Sequence, residues 1–353
     1  VSRLSNIQKA LKEENLDAIL VTSPYNLRYV SNFTGTTGLA VITQEKGFFV
    51  TDFRYTRQAG EQADDYEVVQ NRGPIYHEVK RIVEENKIEQ LGFEDAYVSF
   101  RNYDELEGLL DADLVPISGL IEELREVKDE EEIATIKKAC EIADAGFKYI
   151  LDYIKPGVSE IEIANRLDFH MRELGATSVS FDTIVASGYR SAMPHGVASE
   201  KLIEQGDFVT LDFGCYYNGY VSDMTRTVSV GEPDAKLKEI YEVVLQAQLK
   251  VNEAAKPGMT GIEVDSIARD YITEKGYGEY FGHSNGHGIG LEIHEGPNTS
   301  QKSPKVLVEN NVITNEPGIY IDGLGGVRIE DDLLLTKNGN EVLTFSPKEL
   351  IIL

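Results

Sequence analysis

Apolar and polar positions follow two different periods along the first third of the chain. Over residues 2–15, Leu4, Ile7 and Leu11 recur at helical spacing. Three short apolar runs follow: Asp17–Thr22, Gly38–Thr43 and Gly47–Thr51. They are bounded by Gly, Asn and Thr, as suits strands of a sheet buried by helices. Helical spacing returns near 75–86 and 101–110, and Leu114–Ile117 reads as a closing strand. This pattern predicts an α/β domain over residues 1–124. The charge-rich stretch from Gly119 to Glu132 predicts the crossing into a second domain, 125–353, with the boundary near 122–130. A long helix follows, with Ile133, Ile136, Cys140, Ala143, Phe147 and Ile150 on one face.

The second domain repeats itself. Lys155-Pro-Gly-Val-Ser-Glu-Ile-Glu162 recurs as Lys256-Pro-Gly-Met-Thr-Gly-Ile-Glu263. Pro156 and Pro257 end one helix, and Ser159 with Glu162, like Thr260 with Glu263, has the form of a capping box opening the next. The repeat continues into strands: Phe208-Val-Thr-Leu-Asp-Phe-Gly214 resembles Val312-Ile-Thr-Asn-Glu-Pro-Gly318. Thr210 pairs with Thr314, Asp212 with Glu316, and Gly214 with Gly318. Asp223 and Glu330 fall at similar places in their halves. Two halves facing each other would bring four acids to a common centre.

Charge and composition narrow the chemistry. The formal net charge of −26 opposes binding to nucleic acid or to anionic membranes, both of which need a basic face. No run is apolar for long enough to span a bilayer. Val1–Glu14 lacks the basic-then-apolar order of a signal peptide, so a cytoplasmic location is expected. Cys140 and Cys215 are too few for a disulfide framework and read as buried thiols.

An acid within the apolar run around Asp212 is costly unless a hydrogen bond or a cation meets it. Asp223 lies eleven residues on, a separation that fits adjacent antiparallel strands joined by the turn at 216–219; it also stands near Arg226, a candidate salt-bridge partner. Glu316 precedes a Pro-Gly bend, and alternation puts Arg328 and Glu330 on one face. Each of these acids, taken singly, also reads as an ordinary solvated or core acid. His283, His287 and His294 lie in a run punctuated by Gly286, Gly288 and Gly290, and His195 lies in Met193-Pro-His-Gly196. His77 and His170 fall in helical patterns and read as ordinary. Four carboxylates with an imidazole suit hard divalent ions, and paired ions are a device for hydrolysis.

These residues carry a resemblance. Ala186–Gly196, Leu211–Gly214, Ser222–Arg226, Gly286–Gly290, Asn315–Gly318 and Val327–Glu330 together resemble the methionine aminopeptidase and prolidase superfamily. Within it, the chain is similar to the Xaa-Pro aminopeptidase and Xaa-Pro dipeptidase branch. Thr51-Asp-Phe-Arg-Tyr55 resembles the creatinase-type amino-terminal domain. The resemblance implies an α+β "pita-bread" catalytic domain and a homodimer. It implies hydrolysis of the bond before proline in di- or oligopeptides by water activated between two divalent ions, most readily Mn²⁺, with Co²⁺ or Zn²⁺ as substitutes. It implies Asp212, Asp223, His287, Glu316 and Glu330 as metal ligands, with Glu316 also the general base. His195 and His294 would contact substrate, His283 would line the proline side, and Arg328 would bond near the acids. The alternatives are a catalytically silent binding protein of this fold and a creatinase-like, metal-free hydrolase; both predict replaced acids. Asn285 and Asn315 depart from the usual pattern, which has small residues at the first place and aliphatic ones at the second.

Overall fold

A computed structural model describes residues 2–353, in two compact units: one ends at Arg125 and the other spans Glu126–Leu353. In the first unit a six-stranded sheet has the order β4-β3-β2-β1-β5-β6. Its strands are β1 (Ala18–Val21), β2 (Leu39–Thr43), β3 (Gly47–Thr51), β4 (Glu67–Gln70), β5 (Gln90–Glu94) and β6 (Asp113–Ile117). The sheet is mixed: β1, β2 and β3 pair antiparallel, and the remaining neighbours pair parallel. The central strands β1 to β3 are buried along their whole length, as uninterrupted apolar runs require. The helices are α1 (Arg3–Glu13), α2 (Pro24–Ser31), α3 (Thr56–Gln62), α4 (Ile75–Glu85), α5 (Phe100–Leu109) and α6 (Leu120–Arg125). Their starts follow capping chemistry: Ser2, Ser23 and Ser99 each accept a backbone N–H from the first turn, and Pro24 sits where no donor is needed. Val79 and Ile82 of α4 and Leu106 of α5 pack with Leu20, Val41 and Val50 of the sheet in one core.

The second unit is built twice. Its first half runs α7 (Glu130–Ile150), α8 (Glu160–Glu173), β7 (Ser178–Val179), β8 (Ile184–Ser187), β9 (Phe208–Phe213), β10 (Cys215–Tyr217), β11 (Tyr220–Val221) and β12 (Met224–Ser229). Its second half runs α9 (Ala235–Ala254), α10 (Gly261–Glu274), β13 (Gly286–Gly288), β14 (Glu295–Thr299), β15 (Val312–Asn315), β16 (Gly318–Ile321), β17 (Gly325–Arg328), β18 (Asp331–Thr336) and β19 (Gly339–Val342). Each half packs a helix pair on a sheet: Phe147 and Leu167 meet Val209 and Leu211 in one, and Val244 and Val264 meet Ile313 and Leu333 in the other. The expected face of α7 is buried at Ile136, Cys140, Ala143, Phe147 and Ile150, while Ile133 is half-exposed.

The two helix starts differ. Thr260 and Glu263 close a full capping box at α10. At α8, Ser159 caps the N–H of Glu162, but the Glu162 carboxylate turns outward to Arg166 at 3.2 Å, so only half the expected box forms. Across the halves, Thr225 of β12 bridges to Glu330, and Thr227 Oγ1 donates to the carbonyl of Arg328 at 2.9 Å. Cys140 and Cys215 are both buried free thiols, and burial raises the pKa of each.

Candidate metal centre

Asp212 and Asp223 approach one place from a single antiparallel pair. β9 sets Asp212 opposite Thr225 of β12, and Asp223 stands just before β12 begins. The turn between them is more elaborate than a plain hairpin. β10 and β11 form their own small ribbon, turned at Asn218 and Gly219, which both have positive φ. Gly214 permits the change of direction, because a Cβ there would lie 1.8 Å from the carbonyl oxygen of Ser222. No Asp223–Arg226 salt bridge forms. Three residues apart on an extended segment, the two side chains lie on opposite faces, and Arg226 pairs instead with Asp331 at 2.8 Å.

His287 comes from β13, where the pairing register shifts between Gly286 and Gly288. A Cβ at either glycine would fall 2.0 Å from a neighbouring carbonyl oxygen, so the strand can lie this close only with glycine there. The irregularity aims the imidazole inward. Its Nε2 lies 3.5 Å from Asp223 Oδ2 and 3.2 Å from Glu316 Oε1. Its Nδ1 lies 2.9 Å from the carbonyl oxygen of Gly288. A carbonyl only accepts, so Nδ1 carries a proton and Nε2 is the nitrogen left to face the acids.

Glu316 follows β15, and Glu330 sits between β17 and β18. Asp223, His287 and Glu330 each offer one donor atom, and these three atoms lie within 4.8 Å of one another. Glu316 joins them through its contact with His287. Asp212 stands at the edge of the group, with Oδ2 held by Arg328 at 2.7 Å. Two threonines orient the acids: Thr225 Oγ1 donates to Glu330 Oε2 at 2.6 Å, and Thr314 Oγ1 donates to Glu316 Oε1 at 2.9 Å. The buried oxygens Asp212 Oδ1 and Glu330 Oε1 have no hydrogen-bond partner.

Burial first, and then repulsion from neighbouring carboxylates, raises Asp223 and Glu330 well above the usual range. Burial also raises Asp212, although Arg328 opposes the shift. Glu316 behaves differently: burial pushes it up, but the hydrogen bond and charge of His287 outweigh that and hold it at about 2. Three buried acids and the half-buried Glu316, gathered around one imidazole with two bare oxygens, form a donor set that fits divalent cations.

A cavity of about 250 Å³ opens onto these groups. Asp212, Asp223, His287 and Glu316 line it, as do His195 and His294, with Phe181 and Ile293 among its apolar walls. The ring of His294 lies 4.4 Å from that of His287, and burial lowers its pKa. Glu330, at 1 % exposure, and the half-buried His283 both lie outside the lining residues. His283 Nε2 meets Tyr320 Oη at 2.7 Å, and Arg328 donates to the same oxygen at 2.9 Å. A chain of contacts therefore runs from His283 through Tyr320 and Arg328 to Asp212.

Thr225, Tyr320 and Asp332 were not anticipated from the sequence. Thr225 stands two residues after Asp223, a spacing that places both on one face of a strand and is a legible signal. Asp332 accepts from the backbone N–H of Asp223 at 3.0 Å and from the thiol of Cys140 at 3.3 Å; a partner 192 residues away in sequence leaves no local trace. Tyr320 likewise carries no local signal.

Residues 134–337 match the model of metallopeptidase family M24, and residues 3–127 match that of the Creatinase/Prolidase N-terminal domain. The structure is similar to that of an Xaa-Pro dipeptidase from Bacillus anthracis, with 57 % identity, a TM-score of 0.98 and 99 % of each chain covered. It is similar to an X-Pro aminopeptidase from Thermotoga maritima, with 42 % identity, a TM-score of 0.92 and 100 % of each chain covered. An Xaa-Pro dipeptidase of Pyrococcus furiosus is 44 % identical over 353 residues, covering 99 % of both chains.

Proposed function

As a member of metallopeptidase family M24 that carries a Creatinase/Prolidase N-terminal domain and the pita-bread catalytic fold, the chain is a metallopeptidase, and we propose that it is an Xaa-Pro dipeptidase. The observation that carries the reading is the convergence of Asp223, His287 and Glu330 within 4.8 Å, with Glu316 and Asp212 at the same cavity. The likeness to Xaa-Pro dipeptidases of 57 % and 44 % identity supports the choice of substrate class.

In this reading Asp212, Asp223, His287, Glu316 and Glu330 hold two divalent ions. Their oxygen-rich set suits Mn²⁺, and Co²⁺ or Zn²⁺ accept the same donors. When bound, such ions lower the pKa of a water molecule and polarise the scissile carbonyl. Arg328 keeps one oxygen of Asp212 occupied and leaves the other bare for a cation. Glu316 takes the proton of the attacking water. As the new carbon–oxygen bond forms and the carbon–nitrogen bond breaks, the same carboxyl returns that proton to the proline nitrogen. His294 is kept neutral by burial and donates a hydrogen bond to the carbonyl oxygen as it gains charge. His195, on the same cavity, contacts the peptide. His283 acts through Tyr320 on Arg328.

The test uses metal-depleted protein with Mn²⁺ restored, assayed on Xaa-Pro and on Xaa-Pro-Yaa peptides. Cleavage of the dipeptide alone is the expected result. Cleavage of the longer peptide makes the chain an Xaa-Pro aminopeptidase, the reading that the Thermotoga maritima likeness favours. Silence on both, with metal bound, overturns the proposal.

A further inference from the structure

Behind the acids runs a row of buried polar groups that the proposed chemistry does not use. Asn285 just before β13, Asn315 at the end of β15 and Asp331 at the start of β18 stand on three neighbouring strands. Asn315 and Asp331 are direct register partners. All three are fully buried. Each lies within two residues of a proposed ligand: Asn285 of His287, Asn315 of Glu316, and Asp331 of Glu330.

The row is continuous. Asn315 Nδ2 donates to the backbone carbonyl of Gln248 at 2.9 Å and to Asn252 Oδ1 at 2.8 Å. A backbone carbonyl only accepts, which fixes the orientation of the Asn315 amide and points its Oδ1 at Asn285. Asn285 Nδ2 donates to that oxygen at 3.1 Å. Gln248 and Asn252 of α9 then donate to Asp331 Oδ2 at 2.6 and 3.0 Å. Arg226 binds Asp331 Oδ1 at 2.8 Å and the backbone carbonyl of Glu330 at 2.5 Å. Asn285 closes the near end with its own backbone: its carbonyl accepts from the N–H of Glu316 at 2.8 Å.

An apolar pair would fill the place of Asn285 and Asn315 without the need to satisfy two buried amides. What the amides add is direction. A hydrogen bond between them holds the ends of β13 and β15 at one separation, from which His287 and Glu316 reach each other at 3.2 Å. We propose that Asn285 and Asn315, linked through Asn252 to Asp331, are positioning residues that set the affinity of the centre for divalent metal. The proposal rests on the assignment of His287, Glu316 and Glu330 as ligands.

Calorimetric titration of Mn²⁺ into metal-stripped protein tests it, with wild type beside Asn285→Ala, Asn315→Leu, the double variant and Asn252→Ala. Asn285→Ala and Asn315→Leu should each weaken Mn²⁺ binding by about tenfold, the scale of lost support behind metal ligands. The double variant should be no weaker than the worse single, because the two side chains act as one unit. Asn252→Ala changes a half-buried helix residue and no strand residue, removes its bonds to Asn315 and Asp331, and should cost about threefold on the same reasoning. A purely structural role predicts a lower melting temperature with Mn²⁺ affinity within about twofold of wild type, and that result overturns the proposal. If the two strand variants do not fold, Asn252→Ala decides alone. Wild type that binds no Mn²⁺ sinks the ligand assignment and this proposal together; wild type that binds, with unchanged variants, sinks only this one.

Discussion

The first half of the catalytic unit reaches the centre with two aspartates, Asp212 and Asp223, on one antiparallel pair. The second half reaches it with two glutamates and an imidazole, drawn from three separate segments. The matching threonines mark the contrast. Thr210 of the first half spends its hydroxyl on Thr227, 3.2 Å away. Thr314, its counterpart, donates to Glu316 and accepts from the N–H of His287 at 3.1 Å. The repeat therefore duplicates the scaffold of paired helices on a sheet, and the two copies carry different chemistry. Positioning the acids takes little in the first half, where one ribbon holds both. In the second half three segments must be brought into line, and more side chains are committed to doing so.

The largest expected effects come from the acids at the junction of the halves. Asp223→Asn and Glu330→Gln should each lower kcat by about 10³-fold in Mn²⁺-saturated enzyme, the scale of several kcal/mol of lost charge stabilisation. Steady-state rates on an Xaa-Pro dipeptide measure it, and a variant keeping a tenth of wild-type activity would remove that acid from the centre. In the metal-free protein Glu330→Gln should instead raise the melting temperature, because a neutral amide escapes the burial cost and the repulsion from Glu316 and Asp212 that raise the Glu330 carboxyl.

The same repulsion predicts a pH dependence. Asp223 and Glu330 are raised in the folded state, and Asp332 is pushed up to about 8 by burial. A raised carboxyl binds more protons folded than unfolded, so its stabilising contribution is complete below the unfolded value and is lost as pH rises through the folded one. Glu316, held at about 2, has the opposite sign, but its window closes below the ordinary glutamate value. The melting temperature of metal-free protein should thus fall between pH 6 and pH 8, and saturating Mn²⁺ should flatten the curve. A metal-free curve that rises over this interval contradicts the crowding of acids.

The sequence made some of this legible and hid the rest. Strands β1 to β3, α1 and α7 follow directly from apolar periodicity, because each buries a regular face. The repeat of Lys-Pro-Gly segments exposed both halves and aligned Asp212 with Glu316. What it left out is non-local. The antiparallel pairing inside the first sheet, the partnership of Arg226 with Asp331, and the approach of Asp332 to Asp223 depend on residues far apart in sequence. The two halves of a capping box at α8 show the same limit: the residue types were present, and Arg166 drew Glu162 away. Asn285 and Asn315 stood out singly as departures, and only the fold shows them bonded to each other.

The threonines sharpen the comparison at a smaller scale. Thr314→Val removes a hydrogen bond to a charged acid and another from the His287 backbone, and should weaken Mn²⁺ binding by about tenfold. Thr210→Val removes one neutral hydroxyl contact, costs about 1 kcal/mol of stability, and should leave Mn²⁺ affinity within about twofold. Equal losses of affinity in both variants would contradict the division of labour between the halves.

The smallest effect tests the claim that the scaffold itself is duplicated. Ser159 and Thr260 cap α8 and α10 in the same way, each accepting the N–H three residues on. Alanine at either should cost about 1 kcal/mol of unfolding free energy, because one backbone donor loses its partner. The carboxylates that follow should not behave alike. Glu263 accepts the backbone N–H of Thr260 at 2.8 Å, so Glu263→Ala leaves that donor bare. Glu162 makes only an exposed pair with Arg166, and such pairs contribute about 0.3–0.5 kcal/mol. Urea unfolding of the four variants should give matched losses for the two hydroxyl residues and a larger loss for Glu263→Ala than for Glu162→Ala. Matched losses for the two glutamates would mean that the first half closes its capping box in solution as the second does, and the two helix starts would then be equivalent.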